Sequence, residues 1–245
     1  MAYEFESHRP HTFHGTRYAV VAQLVERHLA KVEVASPSLV YRSIRVVVGR
    51  LFFRIQGGAE METIAPRIRR IPAVDAPLSA DAFIIEGDAR YYVFDVGASD
   101  AAHAAIAALD KPVWVILSHF HADHIGNMAR LSPEKILAGA RTCKYVPGAT
   151  LVDAPLVIRD GVEILVQPCV SPHAPGCLIA TVDGEVTLLG DLAYARPGVG
   201  QGEAKGMLNV LKRVETRWFV QSHVQGDPRQ EKAVLLRGIR EYFGI

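Results

Sequence analysis

Apolar and polar positions along this chain change period several times. Val21, Leu24, Val25, His28, Leu29 and Val32 recur at helical spacing within residues 19–34, and a strand-like run covers 44–55. Residues 82–86 and 91–96 predict two strands joined by the turn Gly87-Asp88. Residues 101–109 are alanine-rich and helical, and Lys111-Pro112 stops them. Residues 113–117 form a short, wholly apolar run, the pattern of a strand covered on both faces. SHFHADHIGN follows at once, and a helix is predicted over 125–131. Strands follow near 135–138, 155–158, 162–167, 177–182 and 186–190, then a helix over 203–214, a strand over 217–221 and a last helix over 230–243. Strands in two groups, with helices between and after them, predict two packed sheets with helices outside, an α+β architecture.

The first 60 residues differ from the rest. They hold eight Lys or Arg, five Glu and no Asp, so they carry +3 of a chain total of +1 and leave −2 for the other 185. FESHRP and VAQLVERHLAKVEVASPSLVYRS resemble the in-frame translation of transfer-RNA genes, FES matching the T-arm DNA and VAQLVER the D-arm. On that resemblance residues 1–55 were never selected as protein, and Met61 is the natural start. As an ordinary segment, the same stretch is a helix and a strand that pack on the main domain or on a twin chain. Either way residues 1–60 are an N-terminal extension without assigned chemistry, and 61–245 hold the functional domain. The extension's His8, His11, His14 and His28 lack the spacing and flanking strand of a ligand cluster.

A net charge of +1 gives no electrostatic reason to expect nucleic acid or an anionic membrane as partner. Arg67, Arg69 and Arg70 read as a solvated strand face. No apolar stretch approaches the roughly 18 to 20 residues of a membrane span, and the N-terminus lacks the apolar run of a secretory signal, so a cytoplasmic location is expected. Cys143, Cys169 and Cys177, odd in number and without CxxC spacing, read as reduced thiols.

The chemistry concentrates in His119-Phe120-His121-Ala122-Asp123-His124, where a buried strand runs into a loop. In extended chain the side chains at i and i+2 point the same way, so His119 and His121 can converge on one ion. A turn into the next helix can aim Asp123 and His124 at a second. Neutral imidazole and carboxylate suit zinc, and the carboxylate also admits manganese or iron. Ser118 and Ser171 stand beside histidines, but neither lies in a GxSxG elbow, and a serine triad leaves the hexapeptide unexplained. His103, on the alanine-rich helix, reads as an ordinary surface residue.

HxHxDH after a hydrophobic strand resembles the signature of the metallo-β-lactamase superfamily, and the resemblance extends from about residue 64 to 245. Asp95 in Phe94-Asp95-Val96-Gly97 resembles the family's supporting aspartate. Ser171-Pro172-His173-Ala174-Pro175-Gly176 resembles its next histidine segment, one residue tighter than the form with Gly before His. Leu188-Leu189-Gly190-Asp191 matches the strand ending in the metal-bridging aspartate, and Gln221-Ser222-His223 takes the place of the last histidine, with Ser222 and Val224 where Gly-His-Gly is common. The resemblance implies a four-layer αββα sandwich and two divalent ions, zinc foremost, with manganese or iron as alternatives. His119, His121 and His173 would hold the first ion and Asp123, His124 and His223 the second, with Asp191 bridging.

The implied activity is hydrolysis by a metal-bridging hydroxide, with Asp123 orienting it or taking up a proton. A small ester, thioester or lactone is the expected substrate. Tyr194 resembles the tyrosine of the lactone-hydrolysing branch that hydrogen-bonds the substrate carbonyl; otherwise it is an aromatic closing the pocket. A phosphodiester or phosphotriester hydrolase and a β-lactamase are alternatives, although a cysteine stands at the position of Asp191 in the β-lactamase subclass with three different ligands. With 22 residues after His223, neither the helical substrate domain of glutathione-thioester hydrolases nor a nuclease arm is expected. A non-catalytic metal sensor is the reading from another class, and the full ligand set speaks for an enzyme. A homodimer is permitted by the apolar N-terminal segment.

Overall fold

The computed structural model describes residues 53–54, 60–195 and 200–245. The predicted helix over 19–34, most of the strand-like run and the transfer-RNA resemblance lie outside these residues. The elements in chain order are β1 (Phe53–Arg54), β2 (Glu60–Ala65), β3 (Ile68–Ile71), β4 (Val74–Asp75), β5 (Leu78–Ser79), β6 (Ala82–Glu86), β7 (Tyr91–Phe94) and α1 (Asp100–Ala107). They continue with β8 (Val113–Leu117), α2 (Ala122–Ile125), a 3-10 turn at Gly126–Arg130, β9 (Lys135–Ala138) and β10 (Thr150–Leu151). Then come β11 (Leu156–Arg159), β12 (Glu163–Cys169), β13 (Cys177–Val182), β14 (Val186–Gly190), α3 (Gln201–Arg213), β15 (Trp218–Gln221), β16 (Arg229–Glu231) and α4 (Lys232–Phe243).

One sheet has the order β1-β2-β3-β6-β7-β8-β9-β10 and the other β11-β12-β13-β14-β15-β16, with β4 and β5 forming a small ribbon. Alternation along the strands divides their side chains between three apolar layers. Tyr92, Phe94 and Ile116 of the first sheet meet Ile164, Leu178, Leu188 and Val220 of the second in the central layer. The intervening Val93, Val115 and Leu117 face outward under Ala102, Ala105 and Ile106 of α1. Ile179, Leu189 and Phe219 face the other way, under Met207, Leu208 and Leu211 of α3 and Leu235, Leu236 and Ile239 of α4. The result is the expected four-layer αββα sandwich. Each fully buried Leu or Phe contributes about 1.5–3 kcal/mol relative to an exposed one. Among the described residues, no helix is long and apolar enough to cross a membrane.

Strand direction places the loops. β7, β8 and β9 run parallel, as do β14 and β15, so in each sheet the residues that follow these strands emerge together at one end. The Leu178 amide donates to the Ser118 carbonyl at 2.8 Å and clips the two sheets together there.

Three expectations are corrected. The helix predicted over 125–131 is instead α2 and a 3-10 turn beginning at Ala122. It is cut short because the Asp123 and His124 carbonyls turn outward to accept from the Ala80 and Val96 amides, at 2.9 and 3.0 Å, and leave the helical ladder. The start predicted for the last helix, residue 230, lies in β16, which pairs with β15 from Trp218↔Glu231 to Val220↔Arg229. Arg70 does not belong to a solvated face: it is 3 % exposed and bonded to Asp81. β1 pairs with β2 through Phe53↔Met61, so the first sheet runs across the boundary expected at residue 60.

Candidate metal centre

Every ligand identified in the sequence sits at this common end of the sandwich. Asp95 follows β7, His119 follows β8, Asp191 follows β14, and Ser222-His223 follows β15, while His173 lies on the loop between β12 and β13. His121 is the N-cap of α2, which sets Asp123 and His124 in its single turn.

Two groups form. His119 Nε2, His121 Nδ1 and His173 Nε2 lie 3.0 to 3.1 Å from one another. Asp123, His124, Asp191 and His223 form the second group, and within each group the ligand atoms lie inside 4.8 Å of one another. Asp191 Oδ2 is 3.2 Å from His124 Nε2, 3.6 Å from His223 Nε2 and 3.8 Å from His173 Nε2, so one carboxylate touches both groups. Asp123 Oδ2 is 3.0 Å from His223 Nε2.

The surroundings fix which ring nitrogen carries the proton. Ser118 Oγ donates to Asp95 Oδ2 at 2.6 Å, so it accepts from His119 Nδ1 at 2.9 Å. His124 Nδ1 donates to the same Asp95 oxygen at 2.8 Å, and His173 Nδ1 donates to the Tyr194 carbonyl at 3.1 Å. In all three rings the Nε2 lone pair is thereby left facing the centre, the state a cation ligand needs. His124 Nε2 and Asp191 Oδ1 are buried without a hydrogen-bond partner, which is costly in protein interior unless something of opposite character sits between them. Three imidazoles closing on one point and an imidazole-carboxylate group closing on another fit the donor chemistry of divalent ions, and each group could hold one.

The electrostatics point the same way. Burial and the neighbouring His124 hold His119 far below the usual imidazole range, and burial takes His173 down to about 4. Burial also disfavours charge on His124, but Asp191 and Asp95 on either side lift it well above its ordinary value. Asp191 stays well below the usual carboxylate range despite burial, because His124 and His223 stand beside it. Asp123, opposed by burial, is lowered by its bond to His223. Burial thus keeps His119 and His173 neutral, and the neighbouring imidazoles keep Asp123 and Asp191 ionised.

Gly190, with φ +59°, is required by this packing: a Cβ there would come within 2.6 Å of Ser118 Oγ. Asp95 and His223 adopt the left-handed conformation without being glycine, at φ +57° and +62°, a state costing roughly 1–2 kcal/mol that persists only where neighbours over-determine it. Asp95 is held by the Ser118 amide at 2.8 Å together with the Ser118 and His124 side chains.

His223 is held by residues that the sequence did not single out. Asp81, fully buried, accepts from the His223 amide at 2.7 Å and from Ser222 Oγ at 3.2 Å. Its other oxygen takes Arg70 Nε at 2.6 Å, and Arg70 also donates to the carbonyls of Val224 and Gly226. The pair casts the His223 loop, and Ser222 serves there through its side chain. The signal in the sequence was a charged residue, Asp81, at the entrance of a strand that is otherwise apolar.

Tyr194 also lies at the centre, its ring centroid 6.5 Å from that of His173. Its hydroxyl donates to the Ser222 carbonyl at 2.9 Å, joining the Asp191 loop to the His223 loop. Ser118 and Ser171 both serve as hydrogen-bond bridges, Ser171 between the His173 amide and the Leu192 carbonyl. His103 lies in the middle of α1, half-buried, its Nε2 3.3 Å from the Arg130 carbonyl oxygen.

The fold and the site together define a metal-binding αββα protein, and comparison with known proteins agrees. Residues 75–141 match the family model of the metallo-β-lactamase superfamily. A hydroxyacylglutathione hydrolase of Anaeromyxobacter dehalogenans (strain 2CP-C) is 33 % identical over 113 residues, 44 % of this chain and 43 % of that protein. The chain thus matches less than half of that relative's length. Among solved structures, a B3 metallo-β-lactamase with an active-site glutamic acid superimposes with a TM-score of 0.60 at 11 % identity, covering 75 % of this chain and 87 % of the other. A metallo-β-lactamase superfamily protein from Sulfolobus tokodaii gives 0.55 at 18 %, covering 72 % and 86 %. The fold of the chain is thus that of solved metallo-β-lactamases, and residues 75–141, which include the HxHxDH segment, resemble that superfamily in sequence.

Proposed function

We propose that the chain is a two-metal hydrolase acting on a small ester, thioester or lactone. The observation that carries this is the sharing of Asp191 between two complete donor groups whose histidine tautomers are set by Asp95, Ser118 and the Tyr194 carbonyl. His119, His121 and His173 would hold the first ion and Asp123, His124 and His223 the second, with Asp191 shared between the two groups. Two divalent ions supply a hydroxide near neutral pH and polarise the substrate oxygen. The nucleophile is therefore drawn from solvent, and Ser118, the serine nearest the donor groups, is engaged with Asp95 and His119.

Asp123 is placed to orient the attacking group and take its proton, because its Oδ2 lies at the second donor group and the side chain is only half-buried. Tyr194 is the second residue proposed to act at the substrate. In this state its hydroxyl bonds Ser222, so it reaches a substrate carbonyl only by exchanging that acceptor, and while bonded it keeps the Asp191 and His223 loops in register. The similarity to a hydroxyacylglutathione hydrolase favours the thioester among the three substrate classes.

The test is turnover of a thioester, a lactone, an aryl ester, phosphodi- and triesters and a β-lactam, before and after chelation and after returning zinc or manganese. Activity on an acyl substrate that falls on chelation and returns with metal is expected. Two bound ions with no turnover of any substrate would favour the sensor reading.

A further inference from the structure

Beside the first donor group stands a cluster that the metal chemistry does not use. Phe120, between His119 and His121 in sequence, stacks on Tyr145 with ring centroids 4.9 Å apart and planes 11° from parallel, and its ring lies 4.9 Å from that of His121. The Arg141 guanidinium carbon is 5.5 Å from the Phe120 ring and 5.4 Å from the Tyr145 ring, and one of its N–H groups donates to Tyr145 Oη at 3.1 Å. Arg141 is exposed and has no carboxylate partner among the described residues, while Tyr145, 49 % exposed, is among the most exposed large side chains. Topology places this cluster at the centre's edge: Arg141 and Tyr145 lie on the loop leaving β9, parallel to the strand that delivers His119. Gly139 and Arg141 pack on the His173 loop so closely that a Cβ on Gly139 would fall 2.0 Å from the Gly176 carbonyl oxygen.

A guanidinium presents five N–H donors in a planar fork. Here one is spent on Tyr145, which fixes the plane, and contact with two aromatic rings further limits its motion. An ordered, solvent-facing fork without an acidic partner matches a carboxylate, which accepts two parallel N–H bonds. We infer that Arg141, steadied by Phe120 and Tyr145, binds a carboxylate carried by the acyl substrate, on the side of the centre formed by His121 and His173. The inference deepens the hydrolase proposal and rests on it for the turnover assay, but not for the binding assay.

The experiment compares the 4-nitrophenyl monoester of glutaric acid, which carries a free carboxylate, with the neutral 4-nitrophenyl butyrate, in full-chain metal-loaded wild type, Arg141→Gln and Arg141→Lys. The wild type is expected to favour the glutarate ester in kcat/KM by about 10- to 100-fold, mostly through KM. Arg141→Gln should bring the ratio of the two esters close to one, and Arg141→Lys, which keeps the charge but not the fork, should restore part of it. In parallel, calorimetry with glutarate is expected to show binding about 10-fold weaker or more in Arg141→Gln than in wild type. If neither ester is turned over, the hydrolase proposal is decided by the wider substrate panel, and the calorimetric difference alone decides the subsite. An unchanged ester ratio in Arg141→Gln, or equal glutarate affinity where no ester turns over, overturns it.

Discussion

At the residue scale, the centre depends on side chains that touch no ion as much as on those that do. Asp191→Ala is expected to remove most bound metal and activity together, read by elemental analysis and turnover on the same sample; full occupancy with retained turnover would refute the shared-ligand assignment. Asp95→Ala takes away the acceptor that fixes His124 Nδ1 and orients Ser118. It should weaken metal binding about 10- to 100-fold in competition with a chelating dye, since supporting partners of ligating histidines carry effects of that size. Asp81→Asn keeps the shape of the His223 support but neutralises the partner of Arg70, and it should lower occupancy of the second ion before the first. Equal loss of both ions would count against that support acting through His223. The buried thiols give a pH test that involves no candidate ligand. Burial pushes Cys169 and Cys177 up to about 12, so between pH 9 and 12 the folded chain holds protons that the unfolded chain has lost. Stability must then fall as pH rises through that window, by up to about 1.4 kcal/mol per pH unit for each thiol. Denaturation midpoints at pH 8 and pH 11 measure it, and a smaller drop is expected in Cys169→Ala.

At the element scale, what could be read in advance follows from what each strand buries. Ala82–Glu86, Val113–Leu117, Cys177–Val182 and Val186–Gly190 are covered on both faces, so they announce themselves as apolar runs. The same completeness hides their orientation: nothing in VWVIL tells that Ile116 meets the other sheet while Val115 lies under a helix. β2 left no strand signal and β3 read only as a solvated strand face because Glu62, Arg69 and Arg70 interrupt them, and their charges are satisfied by partners distant in sequence, Glu86 and Asp81 among them. β16 has no apolar residue and exists because β15 offers it an edge. The two donor groups were legible because histidine and aspartate have few other uses at that density. Their supports, Asp81, Arg70 and Ser118, were not, because each becomes meaningful only when loops far apart in sequence meet. Leu178→Ala, in the central layer, should cost about 2–5 kcal/mol by chemical denaturation. Gly139→Ala should instead displace the His173 loop and show itself as weakened binding of the first ion, a loss that Gly202→Ala, with open space around its Cβ, should not produce.

At the scale of the whole molecule, the two sheets contribute unequally and separately to one centre. His119, His121, Asp123 and His124 come from the loop leaving the first sheet, and His173, Asp191 and His223 come from the second. Neither sheet owns a complete donor group. On the proposed assignment the ions would act as rivets through the seam of the sandwich, and the molecule's resistance to heat would become a reading of how well they are seated. Ligand that binds only the folded state adds about 2.7 kcal/mol at a hundred times its dissociation constant, so stripping the metal should lower the melting temperature by several degrees. Amide exchange should quicken first at the Ser118–Leu178 clip, where the halves would begin to part.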